Sequence, residues 1–227
     1  MKRKLEKHLS YFTVLEAFQR AKGCAMCELE ARDMHRDLDN LLHENVNDVG
    51  VRGNLARSRG YCRRHAHVLL EFADGLGTAI LYQAQVILFL EFLKGQTGLP
   101  AKLCRKNLPE SWNLEAVCPA CVMQTQGRQM YIGTMLEWLG DPQLRKAFDD
   151  SPGLCVPHLL LVLRQVRDAA ERDRLIKVHV SKFAALAQEL AEFIRKQDYR
   201  FRDEPSGTEK DSWQRAVNMM VGVKNVF

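Results

Sequence analysis

The sequence predicts an all-α fold of two tandem pseudo-repeats. Apolar residues recur at steps of three and four along most of the chain, and no alternating β pattern of useful length occurs. A Cys-x-x-Cys pair followed by a Cys-x-x-His pair appears twice, about 94 residues apart. Each copy also keeps one order: CxxC, a medium helix, a return segment, GxCxxH and a long apolar helix.

A leading helix comes first, with Ser10 as its N-cap, Phe12, Val14, Leu15 and Phe18 on one face, and Gly23 as its stop. After Cys27, the steps Met34, Leu38, Leu41, Leu42 and Val46 describe an amphipathic helix facing a core. Its counterpart after Cys121 carries Met130, Met135, Leu136, Trp138 and Leu139 and stops at Gly140-Asp141-Pro142. The first return, from Asp48 through Gly50 and Gly53, reads as an arginine-rich run, and the second as a short helix ending at Ser151-Pro152-Gly153. Long helices are expected from Cys62 to about Lys94 and from Cys155 to about Gln197, the second bending or breaking near Asp173 if it is not continuous. The expected boundaries are a first repeat with the leading helix and metal site 1 at 1–97, a linker at 98–115, a second repeat with metal site 2 at 116–197, and a polar tail at 198–227. The tail ends in a short docking helix with Trp213, Ala216, Val217 and Met220 on one face and Gly222 as its stop.

At 227 residues and 46% hydrophobic content the chain can bury a sizeable core. Its 33 Lys and Arg against 28 Asp and Glu leave a formal charge of +5, too mild and too spread to imply nucleic acid. The basic start, Met1 to Lys7, is followed by no apolar signal core, so a cytoplasmic location is expected. The most apolar stretch, 79–93, is interrupted by Gln83, Gln85 and Glu91, and no membrane span is expected from it. Seven cysteines, an odd number, argue against a disulfide framework and for thiolate chemistry.

The cysteine pattern is the main functional signal. Cys24, Cys27, Cys62 and His65 recur in register as Cys118, Cys121, Cys155 and His158, with 34 and 33 residues between the halves, and Gly60 and Gly153 each stand two places before a cysteine. Three-residue spacing at the start of a helix puts both donors on one side, and two such pairs make a tetrahedron of the Cys3His kind, the closed structural form of a zinc site. Helix N-termini stabilise the thiolates, as do Arg63 and Arg64 within the first CxxH. Two structural zinc ions are therefore expected, with an iron-sulfur cluster the less favoured occupant. Closure within each copy is expected, and exchange of pairs between copies is the alternative.

Other residues carry weaker signals. Cys104 lies outside the pattern and reads as a free thiol, and His67 reads as a solvated position. His8 reads as exposed, and His35, His43 and His179 lack an ExxH or HExxH context. The arginines of 52–64 are the one dense basic patch, and nucleic-acid binding through them is one alternative function. No nucleotide-binding, hydrolase or kinase motif is present, so the sequence offers no catalytic set. An interaction or regulatory module with a protein partner is the leading expectation, and a redox-responsive zinc-thiolate or iron-sulfur protein is the other alternative.

The doubled CxxC…GxCxxH plan, Cys118-Pro-Ala-Cys121, and the ending Asp198-Tyr-Arg-Phe-Arg-Asp-Glu-Pro205…Asp211-Ser-Trp213-Gln-Arg-Ala together resemble a bacterial family of helical proteins classed as a domain of unknown function. The resemblance runs from about Val14 to Gly222 and implies a cytosolic bacterial protein. It implies no activity.

Overall fold

The computed structural model describes residues 7–97, 112, 117–201 and 203–227. The expected linker at 98–115, apart from Trp112, lies outside these residues, as does Cys104. Ten α-helices and no strands occur among the described residues: α1 Leu9–Arg20, α2 Ala25–Asn40, α3 Val49–Arg57, α4 Arg63–Glu71, α5 Gly75–Lys94, α6 Pro119–Trp138, α7 Pro142–Asp150, α8 Val156–Gln165, α9 Ala169–Lys196 and α10 Ser212–Val221. The all-α expectation holds. A π-helical turn, Leu41–Asn45, extends α2.

The chain forms two compact units, which do not follow the two sequence copies. One takes Met1–Ala31 with Arg128–Phe227, and the other takes Arg32–Gly127. The division therefore falls inside α2 and inside α6. In the first unit Tyr11, Phe18, Met26, Leu29, Ile132, Met135, Leu144, Phe148, Leu154 and Leu175 form the core, with Phe18 edge-on to Phe148 at 5.3 Å. In the second, Met34, Leu38, Leu42, Leu55, Leu69 and Leu81 do so, so the stripe read after Cys27 is the buried one.

Several elements differ from the sequence reading, each for a local reason. In α1 Tyr11 is buried and Phe12 is half exposed. The first return is helical despite Gly50 and Gly53, because Asp48 caps α3 by accepting from the Val51 N–H at 2.8 Å. The expected long helices are each two: Asp74 caps α5 at Gly77 N–H (2.9 Å), and Asp168 caps α9 at Glu171 N–H (2.7 Å). The second break thus lies at 166–168, not near Asp173. In α10 the buried residues are Ser212 and Met219, while Trp213, Val217 and Met220 face outward.

Among the described residues α5 is the one helix whose length and composition would suffice to cross a membrane, and only 11% of its apolar window is buried. The expectation that Gln83, Gln85 and Glu91 disqualify this stretch is corrected on that point. Gln85 is buried with Gly77 and Leu81 on the core side of the helix.

Asp141 ties the start of the first unit together. Its carboxylate accepts from Tyr11 O–H at 2.7 Å, from Gln143 and Leu144 N–H at 3.1 Å each, and pairs with Lys7 at 2.9 Å. Asp141→Ala should cost about 1–2 kcal/mol, as expected for loss of a helix cap, with the tyrosine hydroxyl, which still accepts from Lys7, losing the acceptor for its own proton in addition. Urea denaturation of the variant against the parent chain measures this, and an unchanged midpoint would refute the assigned role.

Candidate metal centres

All four short motifs sit at helix starts. Cys62 and Cys155 occupy the N-cap positions of α4 and α8, with nearly the same backbone angles (φ −62°, ψ 162° and φ −64°, ψ 160°). His65 and His158 then fall three residues later, in the first turn. Cys24 and Cys118 stand just before α2 and α6, where their carbonyls accept the first helical bonds, from Glu28 (3.2 Å) and Val122 (3.1 Å). Gly60 and Gly153 both have positive φ, +91° and +92°, the left-handed turn that aims each N-cap cysteine inward. At Gly153 a β-carbon would meet Lys182 Cδ at 2.9 Å and His179 Nε2 at 3.3 Å, so glycine is required there for space as well.

These ends converge on two tetrads: Cys24, Cys27, Cys155 and His158 in the first unit, and Cys62, His65, Cys118 and Cys121 in the second. All eight sequence-predicted residues are used, but the pairs are exchanged. The CxxC of each copy meets the CxxH of the other, so closure within each copy, and with it the expected placing of one site in each repeat, is corrected. Spacing in the sequence allows either pairing, and the packing of the helices brings each CxxC to the other copy's CxxH.

The donor atoms have the spacing of a single-ion site. In the first tetrad Nδ1 of His158 lies 3.5, 3.4 and 3.2 Å from the sulfurs of Cys24, Cys27 and Cys155, and the Cys27 and Cys155 sulfurs are 3.6 Å apart. In the second, Nδ1 of His65 lies 3.4, 3.6 and 3.4 Å from Cys62, Cys118 and Cys121, and the Cys62 and Cys121 sulfurs are 3.7 Å apart. A tetrahedron with Zn–S near 2.3 Å and Zn–N near 2.0 Å has edges of about 3.8 Å between sulfurs and about 3.6 Å from sulfur to nitrogen. A disulfide would need about 2.05 Å, and the six cysteines of the tetrads are free. Ligands of a multi-iron cluster bind different irons and stand farther apart than the corners around one ion.

Charge completes the fit. Cys155 is held down to about 4 by hydrogen bonding from Cys24 and Cys27, which outweighs burial, while contact with Cys155 and Cys24, together with burial, pushes the Cys27 thiol far up. At Cys62 burial opposes the thiolate, but the His65 N–H and the Cys121 and Cys118 thiols outweigh it and the pKa falls. Burial and the charge on Cys118 push Cys121 up to about 12. Each set ionises one sulfur readily and resists a second, an imbalance that a cation at the centre removes.

The surroundings of the two tetrads differ, and the sequence reading missed this. Behind His158, Glu30 accepts from Nε2 at 2.7 Å, which leaves Nδ1 to face the sulfurs. Arg128 grips the same carboxylate with two bonds of 2.8 and 2.7 Å and donates to the Val226 carbonyl at 2.8 Å. Phe227 packs on the His158 ring (4.7 Å) and under the Arg128 guanidinium (4.3 Å), so the end of the tail covers this centre. All four donors here are buried.

Around the second tetrad, Cys62 and Cys121 are partly exposed. The counterpart of Glu30, three residues after the CxxC, is Gln124. His65 Nε2 has no hydrogen-bond partner of normal geometry. Burial first, then the neighbouring Arg64, lowers the His65 pKa to about 4, with Gln124 opposing. Arg64 donates to Gln124 Oε1 at 2.9 Å and approaches the Cys121 sulfur at 3.8 Å. The position three after CxxC was the available signal, since an acid and an amide at matching places mark two differently charged centres.

His179, set aside in the sequence for want of a ligand motif, has a positioning part. It is buried, donates from Nδ1 to the Leu175 carbonyl (2.7 Å), and accepts at Nε2 from the Leu154 N–H (3.0 Å), beside Cys155. It must be neutral to accept, and burial lowers its pKa. Below the unfolded value of about 6.5 the unfolded chain takes up a proton that the folded chain refuses. This contribution to stability is therefore full above about pH 6.5 and shrinks as the pH falls. Denaturant titrations from pH 7.5 to 5.5 should show the decline, and His179→Gln should flatten it. His67 and His8 are exposed as expected, His35 stacks on Phe72 at 4.3 Å, and His43 pairs with Asp39.

An all-helical scaffold carrying two Cys3His tetrads, each built from two helix N-termini, defines a helical protein with two candidate metal centres. The chain belongs to the Family of unknown function (DUF6062), which it matches over residues 1–226. It is 28% identical over 203 residues, 88% of this chain and 96% of the relative, to the "Uncharacterized 23.9 kDa protein in xynA 3'region" of Caldicellulosiruptor sp. (strain Rt8B.4). No solved structure matches.

Proposed function

We propose that each tetrad holds one zinc ion and that the chain is a zinc-stabilised helical interaction module of a reducing, cytoplasmic compartment. The donor spacing carries this reading: in each set the histidine nitrogen lies 3.2–3.6 Å from all three sulfurs, and all four donors lie within 4.8 Å of one another, as around one zinc ion. Zinc supplies folding energy and draws all three thiols of a set into the ionised form. The protein's residues supply closed coordination, with no open position for a substrate, and this favours a structural role over an enzymatic one. Outward apolar residues on α5 and α10 support interaction. Elemental analysis of protein purified without air or chelators should give close to two zinc per chain. Iron with acid-labile sulfide, or no metal, would overturn the reading.

A second reading applies to the Cys62/His65/Cys118/Cys121 centre, where two partly exposed sulfurs 3.7 Å apart sit beside Arg64. There, peroxide can take two electrons from the Cys62 and Cys121 thiolates, joining them as a disulfide and leaving as two waters once protonated, with release of the ion. Limiting peroxide should then free one zinc per chain, and thioredoxin-type reductant should restore binding. Nucleic-acid binding through 52–64 has less support, because Arg59 is stacked on Trp112 at 4.3 Å and Arg64 is engaged at the tetrad.

A further inference from the structure

Helix α5 turns Gly77, Leu81 and Gln85 to the core of its unit and leaves an ordered apolar seam outside. Leu76, Ala79, Gln83, Val86, Leu90 and Leu93 are all exposed, Leu76 at 74% and Val86 at 66%. They succeed one another at steps of 3, 4, 3, 4 and 3, the repeat with which one helix meets another along its length. Ile87 widens the strip, and Phe89, whose ring meets Trp112 at 4.7 Å, borders it.

We propose that α5 is a homodimerisation helix, pairing along this seam with α5 of a second copy of the chain. Three observations select a second copy over a lipid surface. The spacing is that of a helix partner, whereas lipid imposes no heptad. Gln83 stands within the seam: parallel, in-register pairing sets it against Gln83 of the partner subunit, where the two amides satisfy each other, but in lipid it has no partner. Lys94, the single basic residue of α5, is paired with Glu91 at 2.7 Å, so the helix lacks the basic face that holds surface helices to anionic lipid. The large apolar side chains of the strip are 42–74% exposed, and together they make a contiguous apolar patch on the order of several hundred Å², the size that marks an interaction site on a monomer.

The test is sedimentation equilibrium of the full, zinc-loaded chain over a concentration series, beside Val86→Glu/Leu90→Glu and the control Leu160→Glu on α8. The parent chain and the control should give twice the chain mass. The double variant should associate at least ~100-fold more weakly, because it would bury unpaired carboxylates, with helicity and metal content unchanged. Metal content is read on each sample, so loss of a dimer and failure of the metal reading are told apart. If the double variant does not fold, the single Val86→Lys change serves. A parent chain monomeric throughout, or a dimer unaffected by any seam substitution, overturns the proposal. So does a monomer that cosediments with phosphatidylcholine/phosphatidylglycerol vesicles, which would assign the face to lipid.

Discussion

Cys155→Ser should lower the metal content by one ion per chain and unfold the unit made from residues 1–31 and 128–227. Cys155 is fully buried, and its centre joins two segments more than a hundred residues apart in sequence. Structural zinc is worth on the order of 10 kcal/mol in apparent binding energy, as much as the whole stability of an ordinary domain. The serine variant keeps the helix cap and loses only the thiolate. The expected result is one zinc by elemental analysis and loss of cooperative melting for this unit by circular dichroism. A variant that binds two zinc and melts like the parent chain would remove Cys155 from the ligand set. Cys62→Ser at the partly exposed centre should also lose one ion, but leave the melting of the first unit unchanged.

Glu30→Ala should weaken metal binding at the buried centre and destabilise its unit, although Glu30 is no candidate ligand. The change removes the acceptor that fixes the His158 ring and strands Arg128, whose side chain is only 18% exposed. Removing one partner of a buried ion pair costs roughly 3–5 kcal/mol, because the other charge stays buried. Loss of a group that orients a metal ligand lowers metal affinity by about 10–100-fold. Zinc competition against a chromophoric chelator should show one of the two ions weakened by that factor. The double variant Glu30→Ala/Arg128→Met should recover part of the stability without the affinity, separating the stranded charge from ring orientation. Gln124→Ala, at the matching place in the other centre, should change affinity far less, since a neutral amide whose oxygen is engaged by Arg64 stands there in place of a carboxylate. Equal effects of the two substitutions would refute the asymmetry between the centres.

Local patterns in the chain established the helical class, the eight candidate donors and their places at helix starts. Each of these rests on local spacing: a step of three in a first turn puts Cys and His, or two cysteines, on one side of a helix wherever that helix goes. The leading stripe Val14, Leu15 and Phe18 and the stripe Met34, Leu38 and Leu42 were legible for the same reason, and both are buried. Where the reading erred locally, as at α3 and at the break before α9, an aspartate cap decided the matter against glycine content or a continuous apolar run.

Which pairs meet was decided by tertiary structure alone. Any CxxC can satisfy any CxxH, so local spacing leaves the choice open, and the packing of the helices makes it. The Glu30–Arg128 support and the cover from Phe227 are contacts between residues roughly seventy to a hundred positions apart, which no local pattern encodes. Packing, acting after the local rules had fixed the donors, made one centre closed and the other partly open.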